Sequence, residues 1–129
     1  MRIFLIDDDE VFNYLHESVI RHIFPVAEIS IFKSGEEMLN FIKKSGSSFT
    51  APDWIFLDIR MPDMDGFTLL EELELSYRPQ FSETKIYMLS STLDERDLNK
   101  ARSYSLVTDF LGKPLTIELC TALFEKSDK

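Results

Sequence analysis

Short, continuous apolar runs alternate along this chain with longer segments of helical period. The runs occupy residues 3–6, 28–32, 54–57, 86–89 and 109–111. The segments between them carry apolar stripes at three- and four-residue spacing. Val11, Leu15, Ser18, Val19 and Ile23 form the first stripe, and Met38, Leu39 and Ile42 the second. Phe67, Leu70 and Leu73 form the third, Leu98 and Ala101 the fourth, and Ile117, Ala122, Leu123 and Phe124 the last. Ser34 with Glu37, and Thr92 with Glu95, read as capping boxes that open the second and fourth helices.

Strand alternating with helix five times predicts an α/β fold, a doubly wound parallel sheet with helices on both faces. Unbroken apolar runs are what strands buried on both faces require. No internal repeat or low-complexity segment interrupts the pattern, and Gly46-Ser47-Ser48 is a short polar connector. The last helical pattern stops near Lys126. The expectation is one domain over residues 1–129, with one core and no separate output domain.

Composition sharpens this picture in three ways. Asp and Glu outnumber Lys and Arg by 23 to 14, a formal charge of −9, which disfavours nucleic acid and anionic lipid as partners. No stretch has the apolar length of a membrane span, and the first strand pattern leaves no room before it for a leader peptide. The single cysteine, Cys120, lies among Ile117, Leu119, Leu123 and Phe124 and reads as a core residue in a reducing, cytoplasmic setting.

The chemistry sits where the strand patterns stop. The first run leads into Asp7-Asp8-Asp9-Glu10, and the third into Asp58-Ile59-Arg60-Met61-Pro62-Asp63-Met64-Asp65-Gly66. Ser90 and Ser91 follow the fourth run and Lys113 the fifth. In open parallel sheets ligands gather at these carboxyl ends. If the first and third strands are neighbours, about 4.8 Å apart, their carboxylates can share one ion. Crowded carboxylates need a positive partner, and hard oxygen ligands suit Mg²⁺. This set fits phosphoryl transfer onto a carboxylate, with Asp58 as nucleophile and Lys113 and a serine hydroxyl facing the oxygens. No general base is needed, because a carboxylate is already ionised at neutral pH.

These residues, in this order and over essentially the whole chain, resemble the receiver domain of two-component response regulators. The resemblance implies a flavodoxin-like sheet of order 2-1-3-4-5 with five helices. It makes Asp58 the phosphoacceptor. Asp7, Asp8, Asp58 and the backbone carbonyl of Arg60 become the Mg²⁺ ligands, with Asp8 the direct one of the acidic pair and Asp7 acting mostly through water. Lys113-Pro114 matches the family's Lys-Pro, usually a cis peptide, and Phe110 its aromatic switch. The phosphodonor implied is a sensor histidine kinase or a histidine phosphotransfer protein. The output implied is a downstream protein that reads the fourth helix, fifth strand and fifth helix.

The chain departs from the family pattern at Ser90-Ser91, Arg60 and Asp9. Aligning the fourth strand favours Ser90 as the phosphate-sensing hydroxyl, whereas counting back from Lys113 favours Ser91 unless residues 104–108 hold one extra residue; we assign Ser90. Arg60 sets a long cation beside the phosphoacceptor and leaves the acyl-phosphate lifetime open. Asp9, Asp63, Asp65 and Asp94 read as turn or cap residues, and His16 and His22 as structural or surface residues.

Two other classes of function compete. A Mg²⁺-dependent phosphatase with an aspartyl-phosphate intermediate normally carries a second Asp two residues after the nucleophile, where this chain has Arg60. A phosphorylation-independent interaction module would not need Asp7, Asp8, Asp58 and Lys113 together. Nucleotide binding lacks a glycine-rich loop after the first strand.

Overall fold

A computed structural model describes residues 1–127. The elements run β1 (Arg2–Ile6), α1 (Glu10–Ile23), β2 (Glu28–Phe32), α2 (Gly35–Ser45), β3 (Trp54–Asp58) and α3 (Gly66–Ser76). They continue with β4 (Lys85–Ser90), α4 (Glu95–Arg102), β5 (Val107–Gly112) and α5 (Ile117–Ser127). The strands form one parallel sheet in the order β2-β1-β3-β4-β5. The order reverses between β1 and β3, which places the ends of those two strands side by side.

The continuous apolar runs are explained by two cores that share the strands. Phe4, Ile6, Ile55, Leu57, Ile86 and Met88 point to one face and meet Met38 and Ile42 of α2, Leu69, Leu70 and Leu73 of α3 and Ala101 of α4. Ile3, Leu5, Trp54, Phe56, Tyr87 and Leu89 point to the other face and meet Ile20 of α1 and Cys120 and Phe124 of α5. Alternate residues of one strand thus serve opposite cores, and both sets are buried. Cys120 is fully buried, and burial pushes its thiol up to about 12, so it is a packing residue.

Two local expectations need correction. The first-helix stripe is misplaced: Val11 and Leu15 are exposed, and the buried face carries Asn13, His16 and Ile20. Two polar side chains hold that face because they bind backbone groups, described below. The fourth helix opens at Asp94, whose carboxylate accepts the N–H of Arg96, and not at Thr92. Thr92 is instead engaged through its backbone by Ser90. Ser34 does cap α2 by accepting the Glu37 N–H, while the Glu37 carboxylate reaches back to the Lys33 N–H.

Candidate functional site

The site is built on the ends of β1, β3, β4 and β5. Asp7 is fixed on three sides. Its N–H donates to the Phe32 carbonyl, its carbonyl accepts from Asn13 Nδ2, and its Oδ1 accepts from the Asp9 N–H. Asp9 in turn caps α1 through the N–H of Val11 and Phe12. Asp7 is therefore buried and aimed across the sheet, and Asp8 is left exposed.

Asp58 ends β3 and is 4% exposed. The loop after it folds tightly back: Ile59 N–H donates to the Leu89 carbonyl, and Gly66 N–H to the Ile59 carbonyl. A Cβ at Gly66 would come within 2.6 Å of the Asp58 carbonyl oxygen, so only glycine lets α3 start this close to the strand. Asp63 takes a positive φ of 68° within the turn, and Asp65 caps α3 through the Thr68 N–H. Both act as turn and cap residues.

Lys113 follows β5, and its peptide bond to Pro114 is cis. Its N–H donates to the Ser90 carbonyl, which holds its backbone beside the end of β4. The ammonium lies 2.7 Å from Asp7 Oδ2 and 3.4 Å from Asp58 Oδ1. The ring of Phe12 covers it, with the centroid 4.0 Å away, a cation–π contact that shuts the lysine from solvent.

One ammonium does not balance three carboxylates. Oxygens of Asp7, Asp8 and Asp58 all lie within 4.8 Å of one another. That separation is close to the roughly 4 Å that spans a Mg²⁺ between opposite ligands. Burial and the nearby Asp7 push the Asp58 carboxyl up to about 6, while Lys113 and the Arg60 N–H pull it back only in part. The donor set is all oxygen and short of positive charge, which fits a hard divalent cation.

Ser90 and Ser91 are separated by burial. Ser90 is 1% exposed and its hydroxyl is tied to Thr92, donating to the carbonyl at 2.6 Å and accepting from the N–H at 3.2 Å. Ser91 is exposed. The conflict between strand alignment and spacing has a structural cause. Ile86 faces Val107 and Tyr87 faces Asp109, so Thr108 is an extra residue in β5. The additional residue lies inside the strand, at the edge of the 104–108 segment. Phe110 is 9% exposed and already packed in the core with Met88 and Ala101. An exposed Phe110 that moves inward is therefore not the starting state.

Sequence reasoning missed four supporting residues. Asn13 anchors Asp7, Phe12 roofs Lys113, and His16 accepts a hydrogen bond from Leu115. Arg60, assigned only through its carbonyl, also pairs through its guanidinium with Asp97 of α4 at 2.6 Å. For Asn13 and His16 a signal existed: polar residues three apart where a core-facing stripe was due.

The parallel sheet thus brings acidic strand ends together at its switch point, with a buried lysine facing them. The model of the response regulator receiver domain matches residues 3–125, and the chain belongs to that family. The fold superposes on a two-component response regulator from Cytophaga hutchinsonii with a TM-score of 0.88 and 32% identity, covering 97% of this chain and 94% of that one. A two-component response regulator from Legionella pneumophila gives a TM-score of 0.84 at 28% identity, covering 99% and 98%. In sequence, the two-component response regulator ARR12 of Arabidopsis thaliana is 30% identical over 118 residues, which are 92% of this chain and 18% of that protein. The probable C4-dicarboxylate response regulator DctR of Bacillus subtilis is 26% identical over 97% of this chain and 51% of its own length. The chain thus spans about half the length of one of these curated relatives and under a fifth of the other. Among the described residues no helix is long and apolar enough to cross a membrane.

Proposed function

We propose that this protein accepts a phosphoryl group on Asp58 from a phosphohistidine on a sensor kinase or phosphotransfer protein, and signals through a changed protein-binding surface. The observation that carries this reading is the cluster of Asp7, Asp8 and Asp58 around one point, with Lys113 buried against two of them. The net charge of −9 favours a protein over a nucleic acid as partner, and the chemistry suits the cytoplasm.

An Asp58 carboxylate oxygen attacks the phosphorus, the phosphorus–nitrogen bond breaks, and the histidine nitrogen leaves with the electron pair. With its carboxyl near 6, Asp58 is mostly ionised at neutral pH and needs no base. Mg²⁺ held by Asp7, Asp8, Asp58 and the Arg60 carbonyl would supply positive charge to the phosphoryl oxygens. Lys113 stays within reach of the product because the Ser90 carbonyl holds its backbone and the Phe12 ring covers its ammonium. Its ammonium then exchanges carboxylate contacts for a phosphoryl oxygen. The Ser90 hydroxyl takes another oxygen and lets go of Thr92, which carries the change into the loop before α4. The α4–β5–α5 face is where we place the readout.

The test is incubation with acetyl phosphate, with and without Mg²⁺, followed by intact-mass analysis. One phosphoryl group should appear only with Mg²⁺, and Asp58→Asn should remove it. Equal labelling of Asp58→Asn would overturn the site. Many turnovers of phosphomonoesters per protein would make the protein a hydrolase instead.

A further inference from the structure

Arg60 occupies two positions at once in the logic of this fold. Its backbone N–H donates to the Asp58 carboxylate, so its Cα is one bond from an atom that touches the candidate phosphoacceptor. Its guanidinium is directed away, to the Asp97 carboxylate on the first turns of α4. The two ends of this contact are unequal: the Asp97 side chain is 13% exposed and the Arg60 side chain 66%. Asp97 is therefore the held partner and Arg60 the side chain free to swing. Asp94, which caps α4, also lies in the field of Arg60, although Arg96 is its main partner.

A phosphoryl group on Asp58 would bring a charge of about −1.5 to −2 and several acceptor oxygens to the foot of this side chain. Guanidinium groups favour such oxygens because two N–H groups can bind in parallel. The Asp97 contact uses one terminal nitrogen. While it sits on Asp97, Arg60 acts on Asp58 through its backbone N–H and not through its charge, so binding a phosphoryl group there requires the guanidinium to leave Asp97. We propose that Arg60 is a phosphoryl-binding residue held in reserve by Asp97, and that occupation of Asp58 draws its guanidinium off α4.

The inference rests on Asp58 as phosphoacceptor. It goes further in giving a side chain, rather than the Arg60 carbonyl, a role in binding the group. It also gives α4 a second link to the site, independent of Ser90. Once Arg60 leaves, Asp97 is a mostly buried carboxylate that has lost its ion-pair partner and keeps the field of Arg96, which favours a shift of α4 that brings water or the helix N-terminus to it. Asp97 acts through Arg60 and is a positioning residue.

The experiment is a beryllofluoride titration with Mg²⁺, followed by amide NMR shifts, on five proteins: the parent, Asp97→Asn, Asp97→Glu, Arg60→Gln and the double variant Arg60→Gln/Asp97→Asn. Because Asp97 competes for Arg60, Asp97→Asn should bind beryllofluoride up to about fivefold more tightly, the range of one exposed ion pair. Asp97→Glu should restore the parent affinity. In the Arg60→Gln background, Asp97→Asn should change nothing, whereas a general loosening of α4 would act in both backgrounds. The amides of residues 95–102 should respond to beryllofluoride less in Arg60→Gln than in the parent. An Asp97→Asn effect of equal size with and without Arg60, or no effect at all, overturns the proposal. A parent protein that binds no beryllofluoride overturns Asp58 as phosphoacceptor, an outcome distinct from the loss of the Arg60 link alone.

Discussion

His16 Nε2, on the buried face of α1, accepts a hydrogen bond from the backbone N–H of Leu115 at 3.1 Å. Leu115 lies two residues after Lys113, just past the cis peptide. The first helix is thereby joined to the turn that carries the site lysine, and Phe12 from the same helix lies over the ammonium. A histidine with no metal-binding pattern thus has a defined task.

His16→Ala should leave a buried amide without an acceptor, at a cost of about 1–3 kcal/mol before any loss of packing. Urea unfolding measures it. His16→Gln, which keeps an acceptor, should recover part of the loss. Full parental stability in His16→Ala would mean that Leu115 finds water or another acceptor.

Two buried groups should give opposite pH dependences that nearly cancel. Burial holds His16 at about 4, against an ordinary value of 6.5, so the unfolded chain gains a proton first and stability falls as pH drops from 6.5 to 4. Asp58 is raised from 3.8 to about 6, so the folded form gains a proton first and stability rises as pH drops from 6 to 3.8. With the metal chelated, Asp58→Asn should expose the His16 effect: a steeper loss than the parent between pH 6 and pH 4. The difference should approach roughly 1 kcal/mol per pH unit at most. Parallel curves for the two proteins would refute the assignment.

Mg²⁺ should raise the thermal midpoint by binding the native fold only. Asp8→Ala should weaken that effect while leaving the metal-free protein at least as stable, because Asp8 is exposed and adds only repulsion there. Unchanged Mg²⁺ affinity in Asp8→Ala would exclude it as a direct ligand.

Ser90→Ala should still accept phosphate on Asp58 but lose most of the amide shifts at residues 91–94 on beryllofluoride binding. Its hydroxyl is the one bonded to both backbone groups of Thr92. Ser91→Ala should respond like the parent. The reverse result would transfer the sensing role to Ser91.

The alternation of strands with helices and the strand-end carboxylates were legible because they depend on burial at both faces of the sheet and on where apolar runs stop, whereas the strand order came only with the family resemblance. The first-helix stripe was not. Asn13 and His16 are buried polar residues whose partners, the Asp7 carbonyl and the Leu115 N–H, are distant turns invisible to periodicity. The opening of α4 was misplaced because two cap-forming residues, Thr92 and Asp94, precede it closely and only Asp94 aims its side chain at the helix. The Arg60–Asp97 pair joins residues 37 apart on a loop and a helix, and no local pattern marks it.

The bulge at Thr108 separates two measures of distance that agree in a regular sheet. Along the chain, β5 gains one step on β4, while across the sheet Ser90 still faces Gly112, level with the start of the lysine turn. The Thr108 hydroxyl accepts the Ile86 N–H and so fills the gap that the offset opens in the ladder. The slack is taken up near the base of the strand pair, four residues below Ser90, and the upper pairs run in step. A residue can therefore be taken up at the foot of this strand without moving the end that carries the candidate site, as a column can be shimmed at its base while its capital stays level.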